Sequence, residues 1–156
     1  MLSYVVALYE RVCPRVLVVV KPGDERIQGL VNRPCEWVVA RDATEGMSRS
    51  IAAGVRALDS APWVIIGLVD MPYVSPDTVS QIARTLEAGA IIARPRSSGR
   101  TGNPVGFNSR LFGPLMDLKG DRGARVLIDD HIRDVVDVEV RDQGIFRDID
   151  RPEDLT

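Results

Sequence analysis

The chain is poor in the residues that most often announce a site. It carries two cysteines, one histidine and only two lysines, Lys21 and Lys119. Cys13 and Cys35 have neither metal-ligand spacing nor the count for a disulfide framework, so both are expected as reduced thiols of a cytoplasmic protein. His131 stands alone in Asp-Asp-His-Ile-Arg and reads as the solvated end of a helix. No apolar run approaches the roughly 20 residues of a membrane span. Residues 1–7 are apolar but lack a basic flank and a small-residue cleavage site, which excludes a signal peptide. The formal net charge is −2, so no basic surface argues for a nucleic-acid partner. The cations are nearly all arginine, a side chain suited to bidentate phosphate contacts. Internal repeats, low-complexity tracts and long linkers are also missing.

What is present is the pattern of a single α/β domain over residues 1–156, long enough for a real core. Apolar residues at helical spacing run from Leu2 to Val12, and Pro14 ends them. Arg15 to Val20 is a continuous β-branched strand, of the kind buried on both faces of a parallel sheet. A turn at Pro22-Gly23-Asp24 leads into a short helix over 25–31 and a strand over 36–40. A helix follows over 46–58, with Met47, Ile51, Val55 and Leu58 on one face, then an apolar strand over 63–69. Ser75-Pro76 has the chemistry of a helix start, and Gly89 stops that helix. Strands are predicted over 90–93, 105–107, 135–140 and 145–149, and helices over 109–118 and 123–131. Residues 94–102 read as a mobile loop. Alternating strands and helices argue for a mostly parallel sheet.

Five short motifs sit on this frame. Gly46-Met47-Ser48-Arg49-Ser50 opens a helix, where backbone N–H groups and the hydroxyls of Ser48 and Ser50 suit an anion or a polar base edge. Ordinary capping explains the motif in isolation equally well. Gly67-Leu68-Val69-Asp70-Met71-Pro72 ends a strand, and ligands of open α/β sheets bind beyond the carboxyl ends of strands. A carboxylate there suits Mg²⁺ shared with phosphates, or simply caps the next loop. Gly102-Asn103-Pro104-Val105 is a contact segment or a turn. Gly120-Asp121-Arg122-Gly123-Ala124-Arg125 is a phosphate-gripping loop or a solvated helix–helix turn. Asp148 and Asp150 point the same way if their segment is extended, and either completes a metal site with Asp70 or caps the helix at Pro152.

Taken in order, the five motifs resemble the molybdenum cofactor cytidylyltransferase type of nucleotidyltransferase. The resemblance covers essentially the whole chain. It implies a Rossmann-like three-layer sandwich with a mixed, mostly parallel sheet. It also implies transfer of CMP from CTP to molybdopterin with release of pyrophosphate, aided by Mg²⁺. Position by position, Asp70 matches the family's metal aspartate and Asp150 its second acidic position, with Asp148 as the substitute. Gly46, Ser48 and Ser50 match the nucleotide segment. Asn103, Arg122 and Arg125 fall on the acceptor side, and the two sides are expected across one cleft. Three departures stand out. Asn103 replaces a common histidine, Ala40-Arg41-Asp42 lacks a frequent asparagine, and the family's first strand with its Gly-rich phosphate loop does not precede Met1. The chain therefore reads as amino-terminally truncated, with the central strand missing from its sheet. Competing expectations are a guanylyl transferase using GTP, a transferase to another phosphorylated acceptor, and a non-catalytic remnant that binds a client molybdenum enzyme.

Overall fold

The computed structural model describes residues 1–154. Its helices are α1 (Leu2–Glu10), α2 (Met47–Arg56), α3 (Pro76–Glu87), α4 (Phe112–Met116) and α5 (Arg125–Asp130). Its strands are β1 (Leu17–Val20), β2 (Glu36–Val39), β3 (Trp63–Ile66), β4 (Ile92–Ser97), β5 (Arg100–Thr101), β6 (Val105–Asn108) and β7 (Val135–Glu139). Short 3₁₀ turns fill several connections, among them Glu25–Leu30 where the sequence predicts a helix.

The layers follow from which face each helix buries. α2 packs Val55, and the turn after it Leu58, with Ile92, Phe107 and Leu115 in one apolar cluster. On the opposite face, α1 and the start of α3 bring Val5, Leu8 and Val79 together with Met71 and Val74. Further along α3, Ile82 and Leu86 cover Ala93. β3 serves both faces, as a continuous apolar run must: Val64 and Ile66 turn to the α2 side, and Ile65 turns to the α1 and α3 side. The result is a three-layer α/β/α domain.

The sheet is mixed. β6 lies antiparallel between β3 and β4, and β7 pairs parallel with β4 in the register Ile92↔Val135 to Arg96↔Glu139. β1 and β2 form a separate parallel pair, Leu17↔Glu36 to Val20↔Val39. Among the described residues no ladder joins β1 to β3. An apolar slot of about 620 Å³ separates them, walled by α1 on one side and α2 on the other. This gap explains a departure from the sequence reading. β1 and β3 have the composition of fully buried strands, yet three of four residues of β1 and all four of β3 are only half-buried. Their outer edges face the slot instead of another strand.

Three further differences have local causes. β3 stops at Ile66, and the next residue, Gly67, sits against the ring of Tyr9, where any Cβ would overlap the aromatic carbons. The predicted loop over 94–102 is a hairpin: β4 continues to Ser97, turns at Ser98 (φ 51°) and Gly99 (φ 78°), and returns as β5. Positive φ at both turn positions suits the right-handed twist of the flanking strands. Arg94 is pinned 2.7 Å from Asp137, its cross-strand partner on β7. The predicted strand over 145–149 is instead a 3₁₀ turn at Gln143–Phe146 followed by irregular chain. Asp142 starts that turn by accepting the Gly144 N–H at 2.9 Å.

Candidate functional site

The candidate residues gather where β3 ends. Because β6 runs antiparallel to β3, its first residue, Val105, pairs with Ile66, and this places Asn103 beside the chain leaving β3. The Asn103 N–H donates to Ile145 O at 3.1 Å. Four residues on, the Ile149 N–H donates to Asp70 O at 2.7 Å. One segment, 145–150, therefore ties Asn103 to Asp70.

Ile149 is buried, and Asp148 and Asp150 on either side of it are exposed. Both carboxylates act on Asp70. Burial pushes the Asp70 carboxyl above the usual carboxylate range, its own backbone N–H pulls the other way, and the charges of Asp148 and Asp150 push it further up. Asp70 Oδ1 is buried and meets no hydrogen-bond partner among the described residues. A buried, unpaired carboxylate oxygen in the field of two more carboxylates is unfavourable alone, and a hard divalent cation would relieve it. The donor set thus fits such an ion. The cage is not preassembled, since among the described residues no group of three metal-ligating side chains is close enough to hold one.

The start of α2 forms the second wall. Gly46 has φ 118°, a value only glycine takes without strain. A Cβ there would overlap the Asp121 carboxylate and the Gly120 carbonyl. The Ser48 N–H donates to Gly120 O at 3.3 Å. Ser48 is 0% exposed, and its Oγ meets no partner among the described residues. Ser50, two residues on, lines the apolar slot.

Two placements bear on the expected cleft. The backbone at Gly120 and Asp121 packs directly on Gly46 and Ser48. Arg122 pairs with Asp129 of its own segment at 3.3 Å on the exposed surface. Arg125, the first residue of α5, is exposed. Sequence reasoning missed Asp142. Its Oδ2 accepts the Ser75 N–H at 2.8 Å and the Thr78 hydroxyl at 2.7 Å, and so fastens the start of α3 to the segment that carries Asp148 and Asp150. The available signal was Ser75-Pro76 itself, a helix start with N–H groups to satisfy.

Residues 1–135 match the family described as the MobA-like NTP transferase domain, and the chain belongs to that family. It is 33% identical over 120 residues to the purine catabolism protein PucB of Bacillus subtilis, covering 74% of this chain and 57% of PucB. It is 26% identical over 151 residues to the nicotine blue oxidoreductase of Paenarthrobacter nicotinovorans, covering 92% of this chain and 74% of the relative. The fold is that of the Rv0371c homologue from Mycobacterium sp. strain JC1, with TM-score 0.85 and 24% identity over 98% of this chain and 78% of that one. A manganese complex of Rv0371c from Mycobacterium tuberculosis has the same fold, with TM-score 0.78 and 20% identity over 89% of this chain and 75% of that one. Among the described residues no helix is long and apolar enough to cross a membrane.

Proposed function

We propose that this domain is a cytoplasmic nucleotidyltransferase that moves CMP from CTP to the phosphate of molybdopterin and releases pyrophosphate. The observation that carries the reading is the buried, unpartnered Asp70 Oδ1 in the field of Asp148 and Asp150, beyond the end of an α/β strand. Family membership supports the reaction class, and the manganese complex of Rv0371c supports a divalent ion.

In this reading an acceptor phosphate oxygen attacks the α-phosphorus of CTP. A new P–O bond forms, the bond from the α-phosphorus to the bridging oxygen breaks, and pyrophosphate leaves with that electron pair. Such transfers depend mainly on positioning and electrostatics. Asp70 and Asp150, with Asp148 as the substitute, would hold Mg²⁺, and the ion would spread the charge that develops on the phosphates. Gly46 and Ser50 are assigned to the nucleotide side, at the start of α2. Ser48 Oγ is the unsatisfied group that a base edge or ribose hydroxyl meets once the 120–123 loop shifts. Asn103 orients the acceptor, and Arg122 and Arg125 serve its phosphate after Arg122 leaves Asp129. The choice of CTP over GTP rests on the segment Glu45 to Ser50.

Two measurements test this separately. Mn²⁺ binding followed by electron paramagnetic resonance should be lost in Asp70→Asn and retained in Arg122→Ala. Pyrophosphate release with molybdopterin should be faster from CTP than from GTP. Equal binding by Asp70→Asn removes the metal assignment, and faster release from GTP replaces the base. A second reading, a non-catalytic partner of a molybdenum enzyme, is favoured by the Arg122–Asp129 pair and the unassembled cage. It predicts no release from either nucleotide.

A further inference from the structure

Asp148 and Asp150 are carried by a strap, residues 142–150, that joins no β-ladder among the described residues. Its two ends are fixed. Asp142 accepts from Ser75 and Thr78 at one end, and the Ile149 N–H donates to Asp70 O at the other. Between them the strap rests on the β4–β5 hairpin. Gln143 Nε2 donates to Ser97 Oγ at 3.2 Å. The Arg100 guanidinium lies 4.4 Å from the centre of the Phe146 ring.

These two contacts belong to one surface. Ser97 and Arg100 are cross-strand partners in the hairpin, so their side chains share a face. Gln143 and Phe146 begin and end a single 3₁₀ turn, in which residues three apart lie on the same side. The fit between turn and hairpin is close, since a Cβ on Gly102 would overlap the Ile145 carbonyl. Ser97 is buried and Arg100 is exposed, so the guanidinium closes this seat from the solvent side. Arg147, the next residue of the strap, lies 4.0 Å from the centre of the Tyr73 ring.

We propose that Arg100 is a positioning residue: by stacking on Phe146 it seats the strap and sets the reach of Asp148 and Asp150 toward Asp70. Asp148 follows Phe146 by only two residues, so a tilt of the turn passes to both carboxylates. Among the described residues no three metal-ligating side chains are close enough to hold an ion, so closing the cage depends on where the strap sits. That these carboxylates take a divalent ion rests on the proposed function; the seating of the strap does not. A role through charge alone has the opposite sign. An arginine near a cation site repels the ion, and removing it would tighten binding.

The test compares the purified chain with Arg100→Ala, Arg100→Lys and Phe146→Leu. In Arg100→Ala the affinity for Mn²⁺, read by electron paramagnetic resonance, should fall about two- to fivefold, the worth of one exposed cation–π contact. Amide exchange at Ile149 should rise by a similar factor relative to Glu36 of β2, which lies outside the strap. Arg100→Lys keeps a cation over the ring and should retain most of both properties. Phe146→Leu should reproduce the losses of Arg100→Ala, and the double variant should add little to either. Mn²⁺ binding that is unchanged or tighter in Arg100→Ala overturns the proposal. So does a rise in exchange that is equal at Ile149 and Glu36, which marks general destabilisation. If the parent chain holds no Mn²⁺, the metal reading fails, and the exchange ratio alone decides the role of Arg100.

Discussion

Asp142 is the residue whose removal should expose how the site is held. Its two carboxylate oxygens accept three hydrogen bonds, from Ser75 N–H at 2.8 Å, Thr78 Oγ1 at 2.7 Å and Gly144 N–H at 2.9 Å. Thr78 is 1% exposed, so its hydroxyl has no water to fall back on. Hydrogen bonds to a charged acceptor are each worth about 1.5–3 kcal/mol, but three on one group do not add in full. The carboxylate also sits at the amino end of α3, a helix of twelve residues, where negative charge adds about 0.3–1 kcal/mol. Asp142→Ala should therefore cost about 3–4 kcal/mol, or about 10 °C in Tm for a chain of this size. Asp142→Asn keeps one accepting oxygen and turns an NH₂ toward a donor, so it should lose roughly half as much. Thr78→Val removes one bond without changing shape and should cost about 1–2 kcal/mol. Urea denaturation of the single and double variants measures the coupling of Asp142 to Thr78. Asp142→Ala within about 0.5 kcal/mol of the parent, with no coupling to Thr78→Val, would refute the reasoning.

Asp70 makes a prediction about pH. Its carboxyl is raised in the fold, so between the unfolded and folded pKa values the native chain binds the extra proton and stability falls as pH rises. Asp70→Asn should remove that part of the slope just above the ordinary carboxylate range, and a parallel slope in both proteins would count against it. Gly46→Ala should cost about 2 kcal/mol or more through its positive φ and its contact with the 120–121 backbone, and unchanged denaturation midpoints would show that the loop yields freely. Burial pushes the Cys13 thiol up to about 11. Its alkylation at pH 8 should be about a thousandth of the limiting rate and should rise tenfold per pH unit, whereas labelling at the rate of a free thiol would show that Cys13 is solvated.

Much of the fold was legible because it depends on local pattern. The run Trp63 to Ile66, the Ser75-Pro76 helix start and the amphipathic face of α2 all sit where periodicity and capping put them. The misses lie where partners distant in sequence decide. Arg94 to Gly102 has a loop's composition, but Asp137 on β7 holds Arg94 in a ladder. Residues 145–149 have strand propensity, yet Asp142 turns the chain before a strand forms. That the charges of Asp148 and Asp150 act on Asp70 was readable from strand-end placement. The packing of the 120–123 loop on Gly46 was not, since a glycine chosen to fit another chain segment looks like one chosen to fit a ligand. The half-buried state of β1 and β3 was hidden as well, because composition reports the neighbours a strand is suited to, not those it has.

The contact between the start of α2 and the 120–123 loop joins two parts of the proposed site into one mechanical unit. Ser48 N–H holds Gly120 O, and Gly46 has no room for a Cβ against the same loop. A ligand that draws the start of α2 toward itself must therefore break or carry that contact, and a ligand on the loop must do the same from the other side. Each then alters the free energy the other spends on the shared movement. Thermodynamic linkage makes the effect reciprocal: if the first ligand tightens or weakens the second by some factor, the second does the same to the first. Two binding surfaces joined in this way cannot be tuned independently, and a substitution such as Gly46→Ala should alter the affinity for both partners at once.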